Sequence, residues 1–139
     1  MSQPHYIFMY PTHLKGILGE LEFTTHLIRQ GFTVLNPINP NSSYDLVIEK
    51  NGKFTKIQIK YCTPRKTGIL RVELDRPMRK TKNYLEREVD AMGVYDSINH
   101  NFYLVPVNSI KSKTEIWLRI KDTKNKQLKK INLAKKYKI

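Results

Sequence analysis

The sequence predicts an α/β domain in which one helix packs on a mixed central sheet of about five strands. Three observations carry that expectation. A single long stretch with helical apolar spacing, residues 12–30, stands near the start. Short β-rich runs then follow one another, separated by Gly, Pro, Asn and Ser clusters. Two of those runs are joined by Asn51-Gly52, the strongest short signal for a tight hairpin.

Taken in order, residues 1–11 are a short lead-in whose aromatic residues suit an edge strand or a contact with a partner. In the helix, Thr12 is expected as N-cap, and Gly31 sits where a helix-ending glycine belongs. Leu14, Ile17, Leu18, Leu21 and Ile28 recur at helical spacing and are expected to form its buried face, with Glu20 at the margin. Gly16 and Gly19 each weaken a helix by about 1 kcal/mol relative to Ala. Such residues suit close approach of another backbone or a ligand. Residues 32–35 read as a short strand and 36–43 as a loop broken by Pro37 and Pro40. Strands are expected at 44–49 and 53–61, then at 69–74, 91–95, 102–107 and 116–120. Between them lie a basic loop, 76–82, and a helical turn at 84–88. From Lys121 onward eight lysines face the single acid Asp122. The expected division is therefore a domain over residues 1–120 and a basic, partly helical C-terminal arm over 121–139.

A chain of 139 residues suits one domain able to bury a core without disulfide or metal staples. The net charge of +13 dominates the composition. Such an excess repels itself unless something anionic is bound, and nucleic acid is the commonest such partner. Codon bias in an AT-rich genome also enriches lysine, but nucleic acid stands ahead of it. No apolar run has transmembrane length, so a membrane is not expected as partner. Cys62 is the only cysteine, which excludes an internal disulfide and a cysteine-based zinc site. No charged start and apolar centre of a signal peptide is visible, and a cytoplasmic location is expected.

The hairpin yields a candidate site by geometry. A two-residue turn at Asn51-Gly52 pairs Lys50 with Lys53, and every later pair keeps the same sum. Ile48 then faces Thr55, Leu46 faces Ile57, and Asp45 faces Gln58. Because side chains alternate, Asp45, Gln58 and Lys60 share one face, and Leu46, Ile48, Ile57 and Ile59 the other. Opposed residues have Cβ atoms about 5 Å apart, and diagonal ones about 7–8 Å. An acid, an amide and a lysine thus converge. A hard cation such as Mg²⁺ takes oxygen ligands, here Asp45, the Gln58 amide and the Ile59 carbonyl, with Glu20 as a second acid. Lys60 suits orientation of a water or stabilisation of charge on phosphorus.

These residues carry a resemblance. Gly19-Glu20, Tyr44-Asp45 and Gln58-Ile59-Lys60 together resemble the PD-(D/E)XK nuclease superfamily, and most closely its short intron-encoded homing endonucleases. Archaeal-type Holliday junction resolvases are similar too. The likeness spans roughly 15–60 well, and 89–107 more loosely. It implies a restriction-endonuclease-like core and a metal-dependent DNA endonuclease. Glu20, Asp45, Gln58 and Ile59 would be metal ligands, Lys60 the catalytic lysine, and Mg²⁺ the metal, with Mn²⁺ able to substitute. Tyr44 stands in place of the family's proline, which is not chemical. Gln58 stands in place of an acid, which removes one negative charge and favours the homing-type reading over the resolvase. The substrate would be double-stranded or branched DNA, and the assembly a homodimer or higher homo-oligomer. Lys15, Arg65, Lys66, Arg71, Arg76, Arg79, Lys80 and Lys82 are the expected DNA contacts. The rival readings are a Holliday junction resolvase and a catalytically silent DNA-binding module. An RNA-binding protein is disfavoured, because exposed aromatic pairs for base stacking are missing.

Overall fold

The computed structural model describes residues 10–74, 89–112, 114–121 and 131–139. The basic loop at 76–82, the helical turn at 84–88 and most of the lead-in lie outside the described residues. The Asn51-Gly52 turn organises the centre of the fold. Asn51 has φ 52° and Gly52 φ 78°, the left-handed pair that a two-residue hairpin turn demands. Strand β2 (Leu46–Lys50) and strand β3 (Lys53–Cys62) leave this turn in the register expected. Lys50 pairs with Lys53, Ile48 with Thr55 and Leu46 with Ile57.

Around this hairpin the other strands complete the sheet: β1 (Thr33–Leu35), β5 (Ala91–Asp96) and β6 (Phe102–Pro106). The order is β1-β2-β3-β5-β6, with β3 and β5 parallel and every other pair antiparallel. The expected mixed sheet of five strands is therefore present. Strand β4 (Ile69–Glu73) and strand β7 (Glu115–Arg119) form a separate two-stranded sheet. Their patterning accounts for the split. Leu70, Val72, Ile116 and Leu118 are buried while Arg71, Glu73 and Trp117 are exposed, so each strand has one apolar face and suits an outer layer. Strand β5 is buried at every residue and sits between layers.

Helix α1 (Thr12–Arg29) covers one face of the large sheet, over Ile57, Ile59 and Ala91. The small sheet covers the other, over Met92, Val94 and Val105. Two expectations about the helix need correction. Pro11, not Thr12, is the N-cap, and no side chain caps the first turn. The buried face is Gly19, Phe23 and Leu27, not the longer apolar row. Leu14, Ile17, Leu21 and Ile28 are exposed, Leu21 at 60%. The reason is steric. A Cβ at Gly19 would meet the Cβ of Tyr61 at 3.4 Å, so the glycine lets the helix backbone lie close against β3. That approach turns Phe23 and Leu27 inward, and full burial of each is worth about 1.5–3 kcal/mol. Gly31, at φ 88°, ends the helix as expected.

Part of the stretch expected as a C-terminal arm lies against the body. The Arg119 N–H donates to the Asn132 carbonyl at 2.8 Å, and the Ile139 N–H to the Phe102 carbonyl at 3.0 Å. Ala134 is buried at the start of a short 3-10 turn, Ala134–Tyr137. His26 stacks on Phe102 with ring centroids 4.0 Å apart and hydrogen-bonds the Ile139 carbonyl at 2.9 Å.

Candidate active site

The site begins where the hairpin forks. The ladder between β2 and β3 stops at the pair Leu46 and Ile57, and Asp45 lies just before the strand. Its backbone N–H still donates to the Ile57 carbonyl at 2.9 Å. Its side chain reaches further: Asp45 Oδ2 accepts from the Ile59 N–H at 2.7 Å. The carboxylate thus occupies the place on β3 that the next β2 residue would have taken. The N–H and carbonyl of one strand residue point to the same edge. The Ile59 carbonyl therefore also faces the fork.

Glu20 enters from α1. Its side chain and that of Asp45 are within hydrogen-bonding reach. Burial first, and then the neighbouring Asp45 charge, push Glu20 above the ordinary carboxylate range. Around the two acids lies a cleft of about 260 Å³, lined also by Asn36, Asn39, Ser42 and Tyr44. Gln58 is buried at 9% exposure, and Lys60 is half-buried on the same face of β3. The neighbouring Cys62 is buried, which raises its thiol to about 12 and keeps it protonated at neutral pH.

Size alone does not mark the site. A cleft of about 650 Å³ lies at the turn end of β3, beside Lys53, Phe54 and Asp90. Its acid is already engaged, because Asp90 Oδ2 accepts from the Lys56 N–H at 2.9 Å. No group of three or more His, Cys, Asp or Glu side chains gathers among the described residues. Glu20 and Asp45 are the acids at this fork among the described residues. The donors offered at the fork are oxygens: two carboxylates held against their repulsion and a carbonyl edge. That set fits a hard divalent cation, which would relieve the repulsion raising Glu20.

The expected DNA contacts divide. Arg65 and Lys66 are exposed in the loop after β3, and Lys15 is half-buried on α1. Arg71 is engaged with acids: it pairs with Glu115, and with Glu73 at 3.5 Å. Arg76, Arg79, Lys80 and Lys82 lie outside the described residues. The polar loop residues of the cleft, Asn36, Asn39 and Ser42, were not singled out from sequence. The Asn/Ser-rich, proline-bounded loop running straight into Tyr44-Asp45 was the available signal.

A helix acid meeting a strand acid at a hairpin fork, on a helix-backed mixed sheet, defines a restriction-endonuclease-like α/β fold. The chain belongs to the PD-(D/E)XK endonuclease family, whose model matches residues 10–139. Among solved structures, a bacterial homing endonuclease, I-Ssp6803I, is similar with a TM-score of 0.73 and 27% identity, over 94% of this chain and 88% of that one. The Holliday junction resolvase Hjc of Archaeoglobus fulgidus matches with a TM-score of 0.47 and 15% identity, over 76% of this chain and 84% of that one. Protein 5.3 of Escherichia phage T7 is 37% identical over 60 residues, 43% of this chain. The match spans about half, 51%, of that phage protein's length. Among the described residues, no helix is long and apolar enough to cross a membrane.

Proposed function

We propose that the protein is a metal-dependent DNA endonuclease of the site-specific, homing type. The observation that carries this reading is the Glu20–Asp45 pair at the hairpin fork, with the Ile59 N–H on the Asp45 carboxylate and the Ile59 carbonyl at the same edge. Family membership supports it, and so does the similarity to a homing endonuclease along most of both chains.

In this reading Glu20 and Asp45 hold Mg²⁺, or Mn²⁺ in its place, with the Ile59 carbonyl and the Gln58 amide as further oxygen donors. Bound there, the cation lowers the pKa of a coordinated water and neutralises charge on the scissile phosphate. The Ile59 N–H fixes the Asp45 carboxylate toward the fork. Lys60, on the face shared with Gln58, orients the water and meets the charge that builds on phosphorus. Gln58 supplies an amide without a third negative charge, which keeps the fork less repulsive to a phosphodiester. Lys15, Arg65 and Lys66 meet the backbone of the DNA.

A single-site subunit that cuts both strands of a duplex works as a symmetric oligomer. The exposed row Leu14, Ile17, Leu21 and Ile28 on α1 offers an apolar face for that assembly.

Asp45→Ala should lower cleavage by about 10³-fold or more, the order expected when a group at the reacting centre is removed, while duplex affinity in Ca²⁺ stays near wild type. The assay is nicking of supercoiled plasmid, run beside a four-way junction and a randomised linear duplex library in Mg²⁺. Undiminished cleavage by this variant would remove the site. Preference for the junction over the duplex would replace the homing-type substrate with a branched one.

A further inference from the structure

A second concentration of charge lies away from the fork and plays no part in the proposed chemistry. A cleft of about 380 Å³ opens between the end of β7, the turn after β5 and the C-terminal segment. Arg119, Lys121, Lys135 and Lys138 line it together with Asn99 and Asn101, and none of the described residues that line it is acidic. Arg119 Nε is buried and makes no hydrogen bond among the described residues. A buried guanidinium nitrogen without an acceptor marks a place where one is missing. Asp96, the one buried acid among the described residues, is already engaged. Its Oδ1 accepts from the Ile98 and Asn99 N–H groups at 3.0 Å, and its Oδ2 from Asn99 Nδ2 at 2.8 Å.

The arrangement is built from three segments distant in sequence. The Arg119 N–H is tied to Asn132, and Lys138 bridges to Tyr103. The Lys121 side chain crosses Gly68 so closely that a Cβ there would sit 2.6 Å from Lys121 Cβ. Gly68 also accepts the Ile120 N–H at 2.9 Å, and its own N–H donates to the Arg65 carbonyl at 2.9 Å. Ile120 and Lys121, on the cleft's wall, thus abut the loop of Arg65 and Lys66 that leaves the strand carrying Lys60. Tyr103, in its wall, is in register with Val94, and Val94 with Lys60. Two strand spacings separate them, about 10 Å. That distance spans a few phosphates along one DNA strand.

We propose that this cleft binds a phosphate oxyanion, with Arg119 in its wall and Lys121, Lys135 and Lys138 around it. The shared chemistry is that of a tetrahedral, doubly or singly charged phosphate. Two sources supply it: a backbone phosphate of the nucleic acid, which rests on the nuclease reading above, or free inorganic phosphate, which does not. A backbone contact here would hold the duplex at a second point and set its register over the fork.

The test uses the full chain and reads binding, not cleavage. Lys135→Gln/Lys138→Gln changes two exposed lysines and leaves the core untouched, and Lys53→Gln/Lys111→Gln on the remaining surface is the matched charge control. Duplex affinity is measured in EDTA against salt. Thermal stability is measured against inorganic phosphate, with sodium chloride at equal ionic strength as reference. For a backbone phosphate, the Lys135/Lys138 variant should lose slope by about 0.9 for each contact removed, equally on all sequences, and more than the control pair loses. For free phosphate, the wild type should gain stability with phosphate beyond the chloride reference, and Arg119→Gln should not. Either result supports the site, and both together support both sources. Equal slopes in the two lysine variants, with no phosphate-specific stabilisation of the wild type, overturn it. Because neither measurement needs cleavage, an inactive fork and an empty cleft give different results.

Discussion

The β2–β3 hairpin and helix α1 meet at the fork, yet they answer to different physics. In the hairpin a chemical feature two residues long determines the register of five cross-strand pairs. Asn51 and Gly52 accept positive φ, the turn closes, and each later pair follows by alternation. In the helix the 3.6-residue period determines that a helix forms, but not which side is buried. The richest apolar row, Leu14, Ile17, Leu21 and Ile28, faces outward. The side turned to the sheet has the smallest residue, Gly19, above two large ones, Phe23 and Leu27. Backbone approach decided the contact, and the apolar surplus was left for another surface.

The contrast between the two helix faces makes the largest prediction on stability. Phe23 is fully buried, edge-on to Phe102 at 5.2 Å between ring centroids. Phe23→Ala should cost about 3–5 kcal/mol in urea unfolding. Leu21→Gln, two residues away, should change monomer stability by less than about 0.5 kcal/mol, since it touches no core. It should instead lower the mass of the assembly in light scattering at micromolar protein. Equal destabilisation by both would mean that the longer row is the packed one after all.

A smaller effect is expected at the turn. Gly52→Ala places a side chain at φ 78°, where an L-residue costs about 1–2 kcal/mol. Nothing lies within 4 Å of the added Cβ, so the loss is conformational rather than steric. Denaturant unfolding measures it. Because this turn sets the register, the same variant should lose cleavage in proportion to the unfolded fraction and no more. A disproportionate loss would show that the ladder itself had slipped.

The same division explains what was legible in the sequence. Each described strand was visible within one or two residues, because short β-branched runs bounded by turn residues carry that signal locally. The pairing of Asp45 with the second strand was visible because the turn transmits it. The precise stopping point was not. The ladder ends one pair early, and the Asp45 carboxylate rather than its backbone completes the contact with Ile59. The split of β4 and β7 into their own sheet depends on long-range pairing between residues such as Leu70 and Leu118, which no local pattern encodes. The cleft at Arg119 is equally nonlocal. Its walls come from three segments, and the lysines at 135 and 138 read from sequence only as part of a basic run.

The fork itself makes the subtlest prediction, because two acids there are held against each other. Burial and the Asp45 charge raise the Glu20 pKa, so ionisation of Glu20 costs the folded state more than the unfolded one. The folded, metal-free protein is favoured below the ordinary carboxylate pKa of 4.5, and it loses that advantage as pH rises to the elevated folded value. Above that value the penalty is constant. Glu20→Gln removes the titration, so its melting temperature should rise relative to wild type across this window and stay higher at neutral pH. Water around Glu20 screens the pair, so the gap should be small. Mg²⁺ should reverse the order, because a bound cation favours both carboxylates in their charged form and adds binding free energy to the folded state of the wild type. Melting curves from pH 4 to 8, with and without Mg²⁺, read both signs. Parallel profiles for the two proteins would mean that Glu20 is an ordinary solvated helix residue, and the helix would then contribute nothing to the fork but its backbone.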